Sequence, residues 1–153
     1  MRAIEPWVEP PLAEFLKESS ARLVLLMTSS GQVVAQHGFT RSLDVMAVAA
    51  LGAGIIASTR EIARVMSVPT LGNVVHQTSE GGVFLASFVM PDATWIGLVV
   101  FGSDTSIGLV QLFFGRLAAT LSTAAPSAAG RAPVLAERFE EELNASLRTL
   151  FGR

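Results

Sequence analysis

The sequence contains no cysteine, and charged residues make up only 16% of its 153 positions. The lack of cysteine excludes a disulfide framework and any thiolate site, and it favours a cytoplasmic protein. The net charge of −2 and the scattered basic residues exclude an obvious nucleic-acid surface. No run reaches the roughly 18 apolar residues of a membrane span. The acids and prolines near the start differ from the apolar stretch of a signal peptide.

Apolar side chains are what the sequence has in excess. Half of the residues are hydrophobic, which is too many for a disordered chain and high for a monomer with an all-polar surface. A chain of this length can bury a core as a single domain. We therefore expect one domain that places part of its apolar surface in an oligomer interface.

Hydrophobic periodicity and turn residues predict helices that alternate with strands. A short helix begins near Pro10, and a hairpin follows over residues 22–38. Three further strands are joined by short turns at 80–82 and 91–92, which can join only antiparallel neighbours. The predicted order is α-ββ-α-βββ-α, an α+β fold with helices packed on a five-stranded antiparallel sheet.

The end of the chain is predicted to form a separate element. The helix after the fifth strand is expected to begin at Ser103, Asp104 or Thr105, each of which suits an N-cap. Small residues follow, and then an apolar stripe opposite glutamates, as in an amphipathic helix. These patterns predict a domain over 1–122, a linker over 123–133 and a C-terminal amphipathic helix over 134–153.

The stretch AVAALGAGIIAS, residues 47–58, lies within the long helix predicted from Asp44 to Met66. Each glycine in a helix costs about 1 kcal/mol relative to alanine, so a close approach of another backbone should offset that cost. We expect Leu51, Ile55 and Ile62 to pack on the sheet. The small face left for a partner consists of Ala50, Gly54, Ala57, Ser58 and Glu61, which share one side at helical spacing.

A dinucleotide site is the alternative interpretation of the same glycines. Gly52 and Gly54 would then form the phosphate turn, with Glu80 as the ribose-binding acid. Glu80 lies too far along the chain, and hairpin-length turns cannot complete a parallel sheet. The alanines before the glycines also favour a helix over a strand.

Catalytic patterns are scarce. His37 and His76 lie far apart and have no metal-ligand spacing around them. Lys17 is the only lysine, which excludes a Walker-type phosphate loop. The DTSIG stretch lacks the first glycine of a nucleophile elbow. Arg60 and Arg64, beside Glu61, are typical of a solvated helix face. We expect no catalytic residue, no cofactor and no metal.

Three stretches nevertheless resemble a known family. They are RLVLLMTSSGQVVAQHG, LDVMAVAALGAGIIASTREIARVM and GLVVFGSDTSIGLVQLFFGRLAATL, and the resemblance extends over residues 21–121. In their order and local pattern they resemble the Roadblock/dynein light chain family, in particular its bacterial MglB-type branch of regulators of Ras-like polarity GTPases. An additional C-terminal helix is also found in that branch.

The resemblance implies a homodimer and a protein partner. The subunits would join through the long helix and the third strand, here the dimer-interface residues Asn73, Val74, Val75, His76 and Gln77. A small Ras-like GTPase of the MglA type would bind the small face of the long helix. The C-terminal helix would supply a second contact through Phe139, Leu143, Leu147 and Leu150. The alternative is that it packs back onto its own domain or onto the other subunit.

The resemblance also implies an activity without a catalytic residue. Members of this branch are understood to stimulate GTP hydrolysis by reshaping the GTPase, and thus to act in cell polarity and motility. The alternative is a scaffold or nucleotide-exchange factor that recruits partners without accelerating hydrolysis. The expected location is the cytoplasm, with enrichment at a cell pole as an option, and no direct membrane insertion.

Overall fold

The computed structural model describes residues 6–39, 43–126 and 143–150. The predicted α+β order is confirmed. The elements are α1 (Glu9–Ser19), β1 (Leu23–Thr28), β2 (Val33–Gly38), α2 (Val45–Val65), β3 (Val74–Thr78), β4 (Gly81–Val89), β5 (Thr94–Gly102) and α3 (Ile107–Ala124). A further helical segment covers residues 143–150 and is called the terminal helix below.

All five strands form one antiparallel sheet in the order β2-β1-β5-β4-β3. The central strands β1 and β5 pair over six positions, from Leu23–Val100 to Thr28–Trp95. The edge strand β3 pairs with β4 from Val74–Leu85 to Thr78–Gly81. The two edges of the sheet are therefore β2 and β3.

Strand β1 shows how the sheet is covered on both sides. Its side chains alternate between two hydrophobic clusters, because successive residues of a strand point to opposite faces. Val24 and Leu26 pack in the cluster with α1 and α3, whereas Leu25 and Met27 pack in the cluster with α2. This three-layer arrangement explains the continuous apolar run in β1.

The layer of α1 and α3 is organised around Phe114. Its ring makes edge-to-face contacts with Phe15, Phe84 and Phe88 at centroid distances of 6.2, 5.3 and 5.6 Å. Gly97 of β5 lies directly beneath that ring, where an added Cβ atom would overlap it. The absence of a side chain at position 97 thus allows α3 to lie close to the sheet.

Helix α2 packs on the sheet mainly through small residues, whereas larger apolar residues were predicted at this contact. Its buried residues are Ala49, Gly52, Ala53, Ile56 and Ala63. Leu51, Ile55 and Ile62, which were expected on the sheet, are 69, 36 and 52% exposed. The reason is the short distance between helix and sheet, since a Cβ on Gly52 would lie 3.1 Å from Leu85 Cδ2.

The predicted limits of α2 are confirmed. Asp44 is its N-cap, and the Asp44 Oδ1 atom accepts a hydrogen bond from the Ala47 N–H at 3.1 Å. Met66 is its C-cap, and Ser67 then adopts a left-handed φ of 58°. Pro69 follows shortly after, so the helix cannot continue.

The predicted cap of α3 was wrong. Ser103, Asp104 and Thr105 lie in the turn that leaves β5, where the Thr105 N–H donates to the Gly102 carbonyl at 3.5 Å. The N-cap is Ser106, whose backbone is extended and whose Oγ accepts from the Leu109 N–H at 3.3 Å. Each of the four residues 103–106 can cap a helix. The number of residues in the turn after β5 makes Ser106 the N-cap.

Helices α2 and α3 are long and apolar enough to span a membrane if length and composition alone are considered. Their most apolar windows have mean hydropathies of 1.5 and 1.3. Helices that cover a sheet in a folded domain meet the same measure, and each of these two packs one face on the sheet.

We expect Gly97→Ala to lower the free energy of unfolding by about 1–3 kcal/mol, because the new methyl group must displace the Phe114 ring. Urea denaturation measures the change. The matched control is Gly115→Ala on α3, where an added Cβ meets nothing within 4 Å. The control should raise the free energy of unfolding by about 1 kcal/mol through helix propensity. Equal stability of both variants would contradict the described packing.

Candidate protein-docking site

The outward side of α2 carries a line of exposed apolar side chains. We call Leu51, Ile55, Ile62 and Met66 the apolar stripe, since their spacing of four, seven and four residues places them on one side of the helix. Ile62 and Met66 are more than half exposed. Large apolar side chains clustered on a surface mark a contact with another molecule.

Beside the apolar stripe lies the small face predicted from the sequence. All five of its residues are exposed, and they are Ala50, Gly54, Ala57, Ser58 and Glu61. A Cβ atom on Gly54 would meet nothing within 4 Å. The two glycines of the stretch therefore have different roles, since Gly52 seats the helix on the sheet and Gly54 faces outward.

The turn between β1 and β2 borders the small face. Gly31 in this turn has a φ of +91°, and a Cβ there would lie 3.1 Å from Ala50 Cα and 3.3 Å from Ala53 Cβ. At 100° per residue, Leu51, Ile55 and Ile62 lie about 100–140° around the helix from Ala50, whereas Ser58 of the small face lies within about 60° of all three. The small face and the apolar stripe are thus two adjoining surfaces of one helix, which meet at Ser58.

Strand β3 supplies a free sheet edge. It pairs only with β4 within the described residues, so its other side carries unpaired backbone groups. Val74 and Val75 are half-buried, whereas Asn73, His76 and Gln77 are exposed. Val74, Val75, His76 and Gln77 thus lie on this edge strand, and Asn73 lies directly before it.

Glu61 and Arg64 form an ion pair on the outward side of α2. Arg64 Nε donates to Glu61 Oε1 at 2.9 Å, and its Nη2 atom contacts the same oxygen. The hydrogen bond from Arg64 lowers the pKa of Glu61, and the carboxylate in turn raises the pKa of Arg64. Both groups are exposed, so the pair is screened by salt.

A dinucleotide site does not fit the structure. Val45–Val65 is one continuous helix, so Gly52 and Gly54 lie in its middle instead of in a turn after a strand. The strands that follow are antiparallel. No cluster of three potential metal ligands occurs within residues 6–39, 43–126 and 143–150. The two glycines therefore do not form a phosphate-binding turn.

The predicted residues of the C-terminal helix are only partly described. Phe139 lies outside the described residues. Leu143, Leu147 and Leu150 are exposed on the terminal helix, where their spacing of four and three residues places them on one side. They form a second apolar line, which the described part of the domain does not cover.

One feature of the surface was missed from the sequence. A cleft of about 400 Å³ opens between the last turns of α2, the loop from α2 to β3, and β4. We call it the basic cleft because Arg60 and Arg64 lie at its rim. No local sequence motif predicts the cleft, because its walls come from three separate segments. The two arginines, one turn apart, were the only available signal.

The arrangement of the elements defines the class of protein. An α-ββ-α-βββ-α chain on a single antiparallel sheet, with α2 on one face and α1 and α3 on the other, has the Roadblock fold, and a Roadblock/LC7 domain from Streptomyces avermitilis shares it. That domain is 16% identical, with a TM-score of 0.62 over 77% of this chain and 94% of its own. The family resemblance of the sequence is thus confirmed for the fold.

Two MglB structures are also similar to this chain. MglB from Myxococcus xanthus has a TM-score of 0.69 and 22% identity, covering 77% of this chain and 94% of its own. The gliding protein MglB from Thermus thermophilus has a TM-score of 0.68 and 24% identity, covering 82% of this chain and 93% of its own. No family model and no curated protein matches the sequence. Identities of this size show a shared fold.

We expect Arg64→Ala to raise the pKa of Glu61 towards its ordinary value, because the hydrogen bond that favours the carboxylate is lost. NMR titration of the Glu61 side chain measures the change. The folded pKa of Glu61 lies below its unfolded value, so the ion pair stabilises the fold above the unfolded pKa and is lost as pH falls through the folded pKa. An unchanged titration would show that the pair does not persist in solution.

Proposed function

We propose that this protein is a non-enzymatic homodimeric regulator that binds a small Ras-like GTPase on the small face of α2. The observation that carries the proposal is the division of the exposed side of α2 into two surfaces, one apolar and one made of small residues. The Roadblock fold and the similarity to MglB support the choice of partner. The expected setting is cytoplasmic regulation of cell polarity or motility.

The apolar stripe and the edge of β3 together suit a second copy of the chain. A free sheet edge is a liability that pairing with an identical edge removes, and a twofold axis lets the same patch serve both subunits. Burial of Leu51, Ile55 and Ile62 against the other α2 would remove exposed apolar surface from water. Dimerisation therefore explains why these residues do not face the sheet of their own domain.

The small face suits close contact with a partner backbone. Without side-chain bulk at Ala50, Gly54 and Ala57, another protein can approach the helix axis closely, and the switch segments of a GTPase are such a partner. The one carboxylate on this face, Glu61, is held by Arg64. The face thus supports stimulation of GTP hydrolysis by reshaping the switch regions, without a donated catalytic residue.

The terminal helix adds a second contact in this scheme. Its exposed line of Leu143, Leu147 and Leu150 offers an apolar surface that a partner could cover. Because the helix is tethered to the domain, its effective concentration near a GTPase bound at α2 is high. Two weak contacts would then give a stable complex.

We expect Ile62→Glu to weaken dimerisation by about tenfold or more, because a charge must be buried in the apolar stripe. Sedimentation equilibrium of the full chain measures the dissociation constant. The matched control is Leu112→Glu on α3, since Leu112 and Ile62 are both 52% exposed. The control should leave dimerisation unchanged. If the two variants dimerise equally well, the second copy does not bind at α2.

We expect the wild-type protein to accelerate single-turnover GTP hydrolysis by the Ras-like GTPase encoded nearest to it. Ala57→Arg should abolish both binding and acceleration because the arginine blocks close approach to α2. The matched control is Ala119→Arg at an exposed position of α3. Sedimentation should show that both variants remain dimers.

Three other outcomes would change the proposal. Loss of the dimer in Ala57→Arg would place Ala57 in the subunit interface. A stable complex without acceleration would exclude stimulation of hydrolysis and favour a scaffold or an exchange factor. Full acceleration by Ala57→Arg would exclude the small face as the GTPase site.

A further inference from the structure

The basic cleft is lined by apolar and by positively charged side chains. Ile56, Ala63 and Val68 supply apolar walls, and Arg60 and Arg64 supply positive charge. Its volume of about 400 Å³ lies within the range of about 300–1,000 Å³ that is usual for binding sites. The cleft is thus large enough for a ligand with an apolar group and an anionic group.

The two arginines of the cleft, Arg60 and Arg64, differ in whether a carboxylate already pairs with them. Arg64 is held by Glu61. Arg60 takes part in no ion pair within the part of the chain that the structure describes. A guanidinium without a carboxylate partner at the rim of a cleft favours an acidic ligand, because it can form two parallel hydrogen bonds with one carboxylate.

Strand β4 gives the cleft an open hydrogen-bonding edge. β4 runs to Val89, but β3 pairs with it only as far as Leu85. Beyond that point the loop before β3 diverges, and Ser87 lines the cleft. Residues 86–89 of β4 therefore have a strand neighbour on one side only, which is β5.

The pairing of β4 with β5 determines in which direction the unpaired backbone groups of β4 point. In an antiparallel pair, successive residues turn their N–H and C=O groups to opposite sides. The Met90 N–H donates to the Ala93 carbonyl at 2.7 Å, so Met90 faces the β5 side. Val89 and Ser87, one and three residues earlier, therefore direct their backbone groups away from β5. At Ser87 that direction leads into the cleft.

We propose that the basic cleft binds an extended acidic peptide segment of a partner protein, which adds to β4 as a short strand beside Ser87 and places a carboxylate against Arg60. Strand addition at an exposed edge gives affinity through the main chain and specificity through alternate side chains. Here alternate side chains would meet the apolar walls and the arginine. The site adjoins the small face of α2, because Arg64 of the cleft is hydrogen-bonded to Glu61 of that face, but the two share no lining residue. A peptide bound in the cleft would be a second kind of partner.

The test uses the full-length chain and a short fluorescent peptide of alternating valine and glutamate. Fluorescence anisotropy should show binding that weakens as salt is added. Arg60→Glu should weaken it by about tenfold or more, since a charge-assisted hydrogen bond is replaced by repulsion. The matched control is Arg116→Glu on α3, which changes the net charge equally and should bind normally. Thermal denaturation should show that both variants are folded.

A second measurement leaves the protein unchanged. N-methylation of those peptide nitrogens that would pair with β4 should abolish binding, whereas N-methylation of the alternate nitrogens should not. Equal binding of both N-methylated peptides would overturn strand addition. Equal binding of a peptide with glutamine in place of glutamate would overturn the role of Arg60. Arg60-dependent binding to phosphatidylserine vesicles, without peptide binding, would show a lipid surface instead and overturn the proposal.

Discussion

The short distance between α2 and the sheet is the constraint on which the other surfaces depend. Gly52 lies against Leu85 and Leu98, and Ala49 and Ala53 flank it. At this contact small side chains fill the space, so Ile56 is the one large residue among the five buried in α2, and Leu51, Ile55 and Ile62 point outward. A helix that buries alanine and exposes leucine reverses the usual preference, and exposed apolar surface of this kind is typical of a contact with another molecule.

Much of the fold could be predicted from the sequence because its signals are local. The limits of α2 follow from Asp44 at one end and Pro69 beyond the other, and the turns between β3, β4 and β5 follow from their glycines and proline. The N-cap of α3 could not be selected among four neighbouring candidates, since each can accept the same hydrogen bond. The choice of Ser106 depends on how many residues the turn after β5 requires.

The sites were harder to predict, for a physical reason. Helical spacing shows that Leu51, Ile55 and Ile62 share a side, but it does not show whether that side meets the sheet or a second protein. Their hydrophobicity predicted contact with the sheet, but α2 approaches the sheet at Gly52 and these residues lie on its exposed side. The residues of the small face are exposed, as their shared side of the helix predicted, but small size alone could not show this, since Gly52 and Ala53 of the same stretch are buried. The basic cleft depends on where β3 stops relative to β4, which is a tertiary property without a sequence motif.

The other edge of the sheet, β2, contains a bulge. On β2 the register shifts between Ala35 and Val33, so Val34 is an extra residue that has no pairing partner on β1. A bulge of this kind bends and twists an edge strand and makes it a poor template for a further strand. A sheet that joins two copies through β3 would therefore end at a bulged β2 on each side. In such a dimer the continuous sheet would have roughly ten strands, two sheets of the five strands that one chain has, and its bulged ends would disfavour the addition of further copies.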